Sequence, residues 1–288
     1  MAELSELVAD ELSLPVDPRV SKFAAEIARR HGTASRAVLF YGSCLRQAEL
    51  DGLMLDFYLI VGDYRSAYDK RWLAAANALI PPNVFHAEHD GLVAKYAVLS
   101  EADFRRLAGP RTRNVSVWAR FAQPSRLVWA ADGAARVAAI AAIAQSAPTL
   151  LAAAAPRGGE DILDLWRRAF ALTYSAELRA ERKTRSGSVV DGDRERYRRF
   201  GKPALAAAKA LSGKVPTGWL ARRIEGKLLS VARLAKASLT FAGGADYIVW
   251  KINRHAGTDF ALKPWQRRHP LLGALSLLPR LLKSGAVR

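Results

Sequence analysis

The residues best suited to chemistry lie in one stretch, VLFYGSCLRQAELDGLMLDFYLIV, from Val38 to Val61. An apolar run stops at Gly42-Ser43, a short polar connection follows, and a second apolar run carries one carboxylate, Asp56. A charge inside a buried strand is costly unless it is paired or holds a metal. A Gly-Ser turn offers backbone N–H groups and a hydroxyl to an anion. In this order the two suit nucleotidyl transfer, with a turn for the phosphates and a carboxylate for Mg2+. Each has an ordinary structural reading as well, a common turn and an edge-strand acid facing water. Their combination is more specific than either.

Such sites usually place two acids at i and i+2 of one strand, but the residue two before Asp56 is Met54. Asp51 has the wrong parity for a regular strand and reads first as a loop acid before Gly52, with a metal role left open. Asp90, in HDGLVAKYAVLS, is the better second carboxylate and metal ligand. Asp-Gly is also a natural turn pair, so a purely structural Asp90 stays open. Lys95 has almost wholly apolar neighbours (Val93, Ala94, Tyr96, Ala97 and Val98), and a Lys held there suits a phosphate. Cys44 has no base beside it and the chemistry needs no covalent intermediate. His31, His86, His89, His255 and His269 are scattered and form no zinc pattern.

The elements that must position these residues follow from periodicity. Pro18–His31 reads as a helix, Val38–Tyr41 as a strand, and a short helix follows the Gly-Ser turn. Leu53–Val61 reads as a second strand with Met54, Asp56, Tyr58 and Ile60 on one face. Tyr68–Leu79 is helical and ends before Pro81-Pro82. Val84–Glu88 and Leu92–Leu99 form a hairpin about Asp90-Gly91. Glu101–Leu107 is a short helix and Arg126–Trp129 a last strand. Beyond Asp132 the expected elements are helices: Gly133–Leu151, Glu160–Lys183, Arg194–Leu211, Trp219–Ala237 and Asp246–His255. The expectation is an α+β chain, with a mixed sheet and helices over 1–132 and a mainly helical part over 133–288.

The chain has 288 residues, enough for a sizeable core, and a formal charge of +17. That charge predicts attraction to a polyanion: nucleic acid, an anionic membrane or a phosphate-rich ligand. It is uneven. Residues 1–18 carry five acids and no Lys or Arg, whereas residues 219–288 hold 13 Lys/Arg and three acids, a net +10. The single cysteine excludes an intramolecular disulfide and fits a reducing compartment. The acidic start resembles neither a signal nor a transit peptide. Val137–Pro156 reads as a buried helix rather than a span. High Ala and Arg are compatible with a bacterial source.

Taken in order, several segments resemble the mitochondrial-type phosphatidate cytidylyltransferases, the soluble-fold CDP-diacylglycerol synthases of the nucleotidyltransferase superfamily. They are Tyr41-Gly42-Ser43 with Gln47, Met54-Leu55-Asp56-Phe57 running to Val61 and Asp63, Asp90-Gly91, Lys95-Tyr96, Arg120 and Pro124. LTYSAELR (Leu172–Arg179) and Lys183 follow, and LTFAGGADYIVWK, with Tyr247 and Lys251, closes the set. The likeness covers roughly residues 38–254, and the family also lacks an acid at the Met54 position. Departures are Cys44 in place of a usual Gly, an unrecognisable Trp-His segment, a shortened insertion before the third strand, and the last 30 residues. The resemblance implies a nucleotidyltransferase-fold sheet and conversion of CTP and phosphatidate to CDP-diacylglycerol and pyrophosphate with Mg2+. Asp56, Asp90 and Lys95 would be catalytic, with Asp56 and Asp90 holding metal. Gly42, Ser43, Arg179 and Lys183 would bind nucleotide.

The basic C-terminus fits a lipid enzyme. Trp265, Arg267, Arg268, Leu271, Leu272, Arg280 and Lys283 have the composition of a segment lying in a bilayer interface. Residues 219–237 repeat apolar and basic residues as well, and read equally as interfacial or as a core-packed helix with a solvated basic face. The expected setting is cytoplasmic, peripheral on the inner face of the cell membrane, and the resemblance argues against a nucleic-acid partner. Two alternatives remain: a nucleotidyltransferase acting on RNA or a soluble small molecule, and a non-catalytic membrane-associated protein that has kept the fold.

Overall fold

The computed structural model describes residues 2–47, 49–177, 189–211, 213–216, 218–240, 261 and 263–268. Its centre is an open five-stranded mixed sheet of β1 (Ser35–Tyr41), β2 (Met54–Val61), β3 (Asn83–His89), β4 (Leu92–Ser100) and β5 (Ser125–Ala130). The strand order is β3-β4-β2-β1-β5. β2 and β4 run parallel and every other neighbouring pair is antiparallel. The parallel pair needs a crossover. α3 (Tyr64–Ala67), α4 (Arg71–Leu79) and β3 supply it.

Alternation in β2 divides the core in two. Leu55, Phe57, Leu59 and Val61 join a cluster with Val20, Phe23 and Ile27 of α2 (Pro18–Arg30). Tyr58 and Ile60 face the other way, into a larger cluster. That cluster draws on α1 (Ala2–Ser13), α5 (Glu101–Ala108), α6 (Trp118–Phe121), α7 (Gly133–Ala144), α8 (Ser146–Ala154), α9 (Ile162–Ala176) and α10 (Arg194–Lys209). The chain is therefore α+β, and the helices after residue 132 share a core with the sheet. α11 (Trp219–Thr240) and α12 (Pro264–Arg268) follow.

Capping residues set the helix starts. Asp17, Ser100, Asp132, Asp161 and Asp193 each accept a backbone N–H from the first turn that follows. The strands, the hairpin and the face carrying Asp56 and Tyr58 follow the sequence expectation closely. Three helices do not. The helix expected over 68–79 starts only at Arg71, because Tyr68 (φ −137°) and Lys70 (φ −92°) are extended, with the Tyr68 ring turned towards His31 and Phe85. The stretch 133–151 is two helices: a new start at Ser146 puts Pro148 in a first turn, where its missing N–H costs no bond. The helix expected to reach Lys183 stops at Ala176, because Glu177 is extended. Gly133–Ala154 has the length and apolarity to cross a membrane, but is mostly buried inside the protein.

The acidic N-terminus forms α1, which the sequence reading assigned to no element. Its Glu11 is buried against Arg196 of α10, and Arg196 also donates to the Ala122 carbonyl at 3.1 Å. The expected helix 246–255 lies outside the described residues, as do Leu271, Leu272, Arg280 and Lys283. Trp265 is exposed, and Arg267 and Arg268 end the same short helix, α12.

Candidate active site

One row of paired residues crosses the whole sheet. His86 of β3 sits opposite Lys95 of β4, Lys95 opposite Asp56 of β2, Asp56 opposite Tyr41 of β1, and Tyr41 opposite Ser125 of β5. Residues directly opposite in a sheet project to the same face. Lys95 and Asp56 meet there, with Nζ 3.1 Å from Oδ1, both side chains partly screened from water. Asp56 Oδ1 is nevertheless buried and accepts no hydrogen bond among the described residues, the Lys95 approach being close without the geometry of one.

The turn after β1 is fitted to Asp56. Gly42 has φ 94° and ψ −164°, a backbone that residues with a Cβ rarely adopt, and it precedes the 3-10 turn Ser43–Arg46. A Cβ placed on Gly42 would stand 2.9 Å from Asp56 Oδ2. The glycine thus serves both the turn and the carboxylate. Cys44 is buried on the opposite side of the sheet, with Phe40 and Leu55, where its Sγ donates to the Met54 carbonyl at 3.3 Å. Burial pushes its thiol pKa up, which agrees with a packing residue rather than a nucleophile.

Beside the row stands an aromatic and cationic wall. Tyr41, Tyr58 and Phe121 pack with ring centroids 5.2–6.0 Å apart. The Arg120 guanidinium lies 5.2 Å from the Tyr41 ring centroid and donates to Tyr58 Oη at 3.0 Å and the Ser116 carbonyl at 3.1 Å. Burial works against its charge, but Tyr58, Tyr41, Glu177 and Asp56 outweigh it and hold its pKa above the ordinary value. Arg233 of α11 donates to Ser116 Oγ at 3.2 Å and to the Pro81 carbonyl at 2.8 Å. Its pKa is lowered by burial, against the pull of Tyr58 and Glu177.

Of the residues expected from the sequence, Gly42, Asp56 and Lys95 come together, Ser43 follows Gly42 at the start of the 3-10 turn, and Asp90 stands apart. Asp90 occupies the β3–β4 turn in the left-handed region (φ 47°), with His89 Nε2 3.6 Å from its carboxylate. Lys95 is three residues into β4 from Leu92, so the turn begins about 10 Å along the strand from the Asp56 row. The paired-carboxylate expectation is corrected accordingly: the Asp-Gly geometry of a tight turn accounts for Asp90. Asp51 is exposed and pairs with Arg19 at 3.0 Å. Arg179 and Lys183 lie outside the described residues.

The sequence reading gives Ser116 no role, has Tyr41, Arg120 and Glu177 only as motif letters, Tyr58 only as a face neighbour of Asp56, and Arg233 only as a flanking base of the 219–237 helix. Parity places Tyr58 beside Asp56, and Arg120 is a lone cation in the apolar run Val117–Ala122, so both had a signal. Arg233 and Ser116 had none, being 117 residues apart in the chain.

Among the described residues no three His, Cys, Asp or Glu side chains gather as a metal cluster. Asp56, with Oδ1 beside Lys95 and Oδ2 against Gly42, is the one carboxylate of the row that could hold a divalent cation together with a ligand's phosphates. No protein-family model matches the chain, and no curated protein matches it.

Proposed function

We propose that this chain is a Mg2+-dependent nucleotidyltransferase of the phosphatidate cytidylyltransferase type, acting at a membrane surface. The observation that carries the reading is the Asp56–Lys95 pair on one sheet face, closed on one side by the Gly42 turn. The resemblance, carried by Asp90-Gly91, Lys95-Tyr96 and Leu172–Arg179 among its segments, favours a membrane phospholipid as acceptor, and the family it points to uses CTP and phosphatidate.

In this reading Asp56 would hold Mg2+, which would supply charge neutralisation at the phosphates of bound CTP. Asp90 has no part in it. The Gly42-Ser43 turn receives the β- and γ-phosphates. Lys95 stands on the other side of Asp56 and offsets negative charge at the α-phosphate. A phosphate oxygen of phosphatidate attacks the α-phosphorus in line, and the bond to the β-phosphate bridging oxygen breaks. Its electron pair leaves with pyrophosphate, and CDP-diacylglycerol remains. The attacking phosphate is already anionic near neutral pH, so no side chain must remove a proton. Arg120 and Arg233 give the adjoining wall a fixed positive potential, and Arg179 and Lys183 follow Glu177 in the chain as further phosphate partners.

The test is transfer from CTP labelled at the α-phosphate, with Mg2+ and phosphatidate in mixed micelles. Labelled CDP-diacylglycerol is expected, and Asp56→Asn should abolish it. Label appearing instead on RNA or a water-soluble phosphate, or on no acceptor, would overturn the reading.

A further inference from the structure

α11 is amphipathic in the inverse sense. A surface helix ordinarily turns its aliphatic residues to the core and its cations to water. Here Arg222, Arg233 and Lys236 face inward on one stripe. Arg222, 1% exposed, donates to the carbonyls of Arg113 (2.7 Å), Pro216 (2.9 Å) and Thr112 (3.2 Å), between the rings of Trp118 and Trp219. Lys236 Nζ donates to the carbonyls of Ile80 and Pro82, at the end of α4. Gly226, on the same stripe, lets the helix backbone approach the Ala176 carbonyl so closely that a Cβ would collide with it. This seating leaves Leu220, Ile224, Leu228 and Val231 outward, 71%, 56%, 66% and 56% exposed. Their spacing of four, four and three residues makes one continuous stripe.

We propose that this outward stripe of α11 seats on an anionic bilayer surface. The choice of a bilayer rests on the function proposed above, and charge supports it independently. Arg223 and Lys227 are exposed beside the stripe, and the only acid on α11 is the half-buried Glu225. Aliphatic residues flanked by cations match acyl chains beneath anionic headgroups. A second copy docking through the same stripe would set Arg223 and Lys227 near their own counterparts. The remainder of the chain, 241–288, is itself basic, with eight Lys/Arg against Asp246 and Asp259. Through Arg233 the inner side of α11 reaches Ser116 and the wall beside Asp56, so one helix joins the lipid surface to the reaction site.

The full chain is tested by flotation with vesicles of phosphatidylcholine, alone or mixed with phosphatidylglycerol. Replacing both Ile224→Glu and Leu228→Glu should weaken binding to the mixed vesicles about tenfold or more. Arg223→Gln with Lys227→Gln should weaken it on mixed vesicles only. Leu79→Glu, an exposed aliphatic on α4, should change neither. Thermal melts establish that each variant is folded. Unchanged flotation of the Ile224/Leu228 variant would overturn the proposal, as would a change from dimer to monomer with flotation unaltered. Transfer by the parent chain to a monomeric short-chain phosphatidate reads the chemistry without a surface. Absence of that transfer alongside the expected flotation pattern would remove the proposed reaction and leave the docking face standing.

Discussion

Lys95 and Arg222 are both basic side chains drawn in from solvent, but their surroundings differ. Lys95 stands in a row of paired strand residues, 3.1 Å from a carboxylate whose near oxygen accepts no hydrogen bond. Arg222 is spread over three backbone carbonyls and two indole rings. A cation whose donors are taken by carbonyls anchors the chain, since removing it orphans those acceptors. An ion pair whose groups are only partly screened from water can exchange its partners for a ligand's charges. The same contrast separates the two regions. The sheet row holds a partly screened ion pair, and the inner stripe of α11 holds a helix in place.

The contrast can be broken by showing that the two kinds of residue respond alike. The largest effect expected is on chemistry: Asp56→Asn should lower nucleotidyl transfer about 10³-fold or more while moving the thermal midpoint little. A collapse of the fold in that variant would make Asp56 an anchor like Arg222. Next, Arg222→Ala should cost about 2–4 kcal/mol in a denaturant melt, with CTP affinity unaltered. Loss of CTP binding without loss of stability would reverse the assignment.

A smaller cost sharpens the account of the α11 seat. Gly226→Val puts a branched side chain where the helix meets the Ala176 carbonyl, and should destabilise the protein by about 1–3 kcal/mol. Full stability would mean that α11 does not lie against α9 there.

The smallest effect is one of pH. Burial depresses the His31 pKa, with Nδ1 2.9 Å from the Ala67 carbonyl and Nε2 3.2 Å from Tyr96 Oη. The unfolded chain then binds a proton that the folded one lacks. The stabilisation is complete above the ordinary imidazole value of about 6.5 and falls as pH drops from there towards the lower folded value. Melts across that range should show the slope in the parent chain and a shallower one in His31→Gln. Equal slopes would assign the acid sensitivity elsewhere.

Short-range signals carried most of the sheet. Alternation in MLDFYLIV set the two faces of β2, Asp90-Gly91 marked the hairpin, and the Gly42-Ser43 break marked the end of β1. Lys95 was visible as a cation among apolar residues, and its register with Asp56 makes them neighbours. Asp90 misled because an Asp-Gly pair serves a turn and a metal equally well in sequence, and only strand register shows how far it stands from Asp56. Glu11 and Arg196 are 185 residues apart, so their pairing had no local mark, and α1 was unread with it. On α11 the periodicity was legible but its sense was not. A stripe of Leu, Ile and Val beside a stripe of Arg and Lys does not reveal which side faces inward when carbonyls at 80–82, 112–113 and 216 wait to receive the cations.

The most direct test of the sheet row is calorimetric titration of CTP into the parent chain, Asp56→Asn and Arg222→Ala, each with and without Mg2+. The account predicts Mg2+-dependent binding by the parent, its loss in Asp56→Asn and its retention in Arg222→Ala. CTP binding that ignores both Mg2+ and Asp56, or no CTP binding by the parent chain, would contradict it.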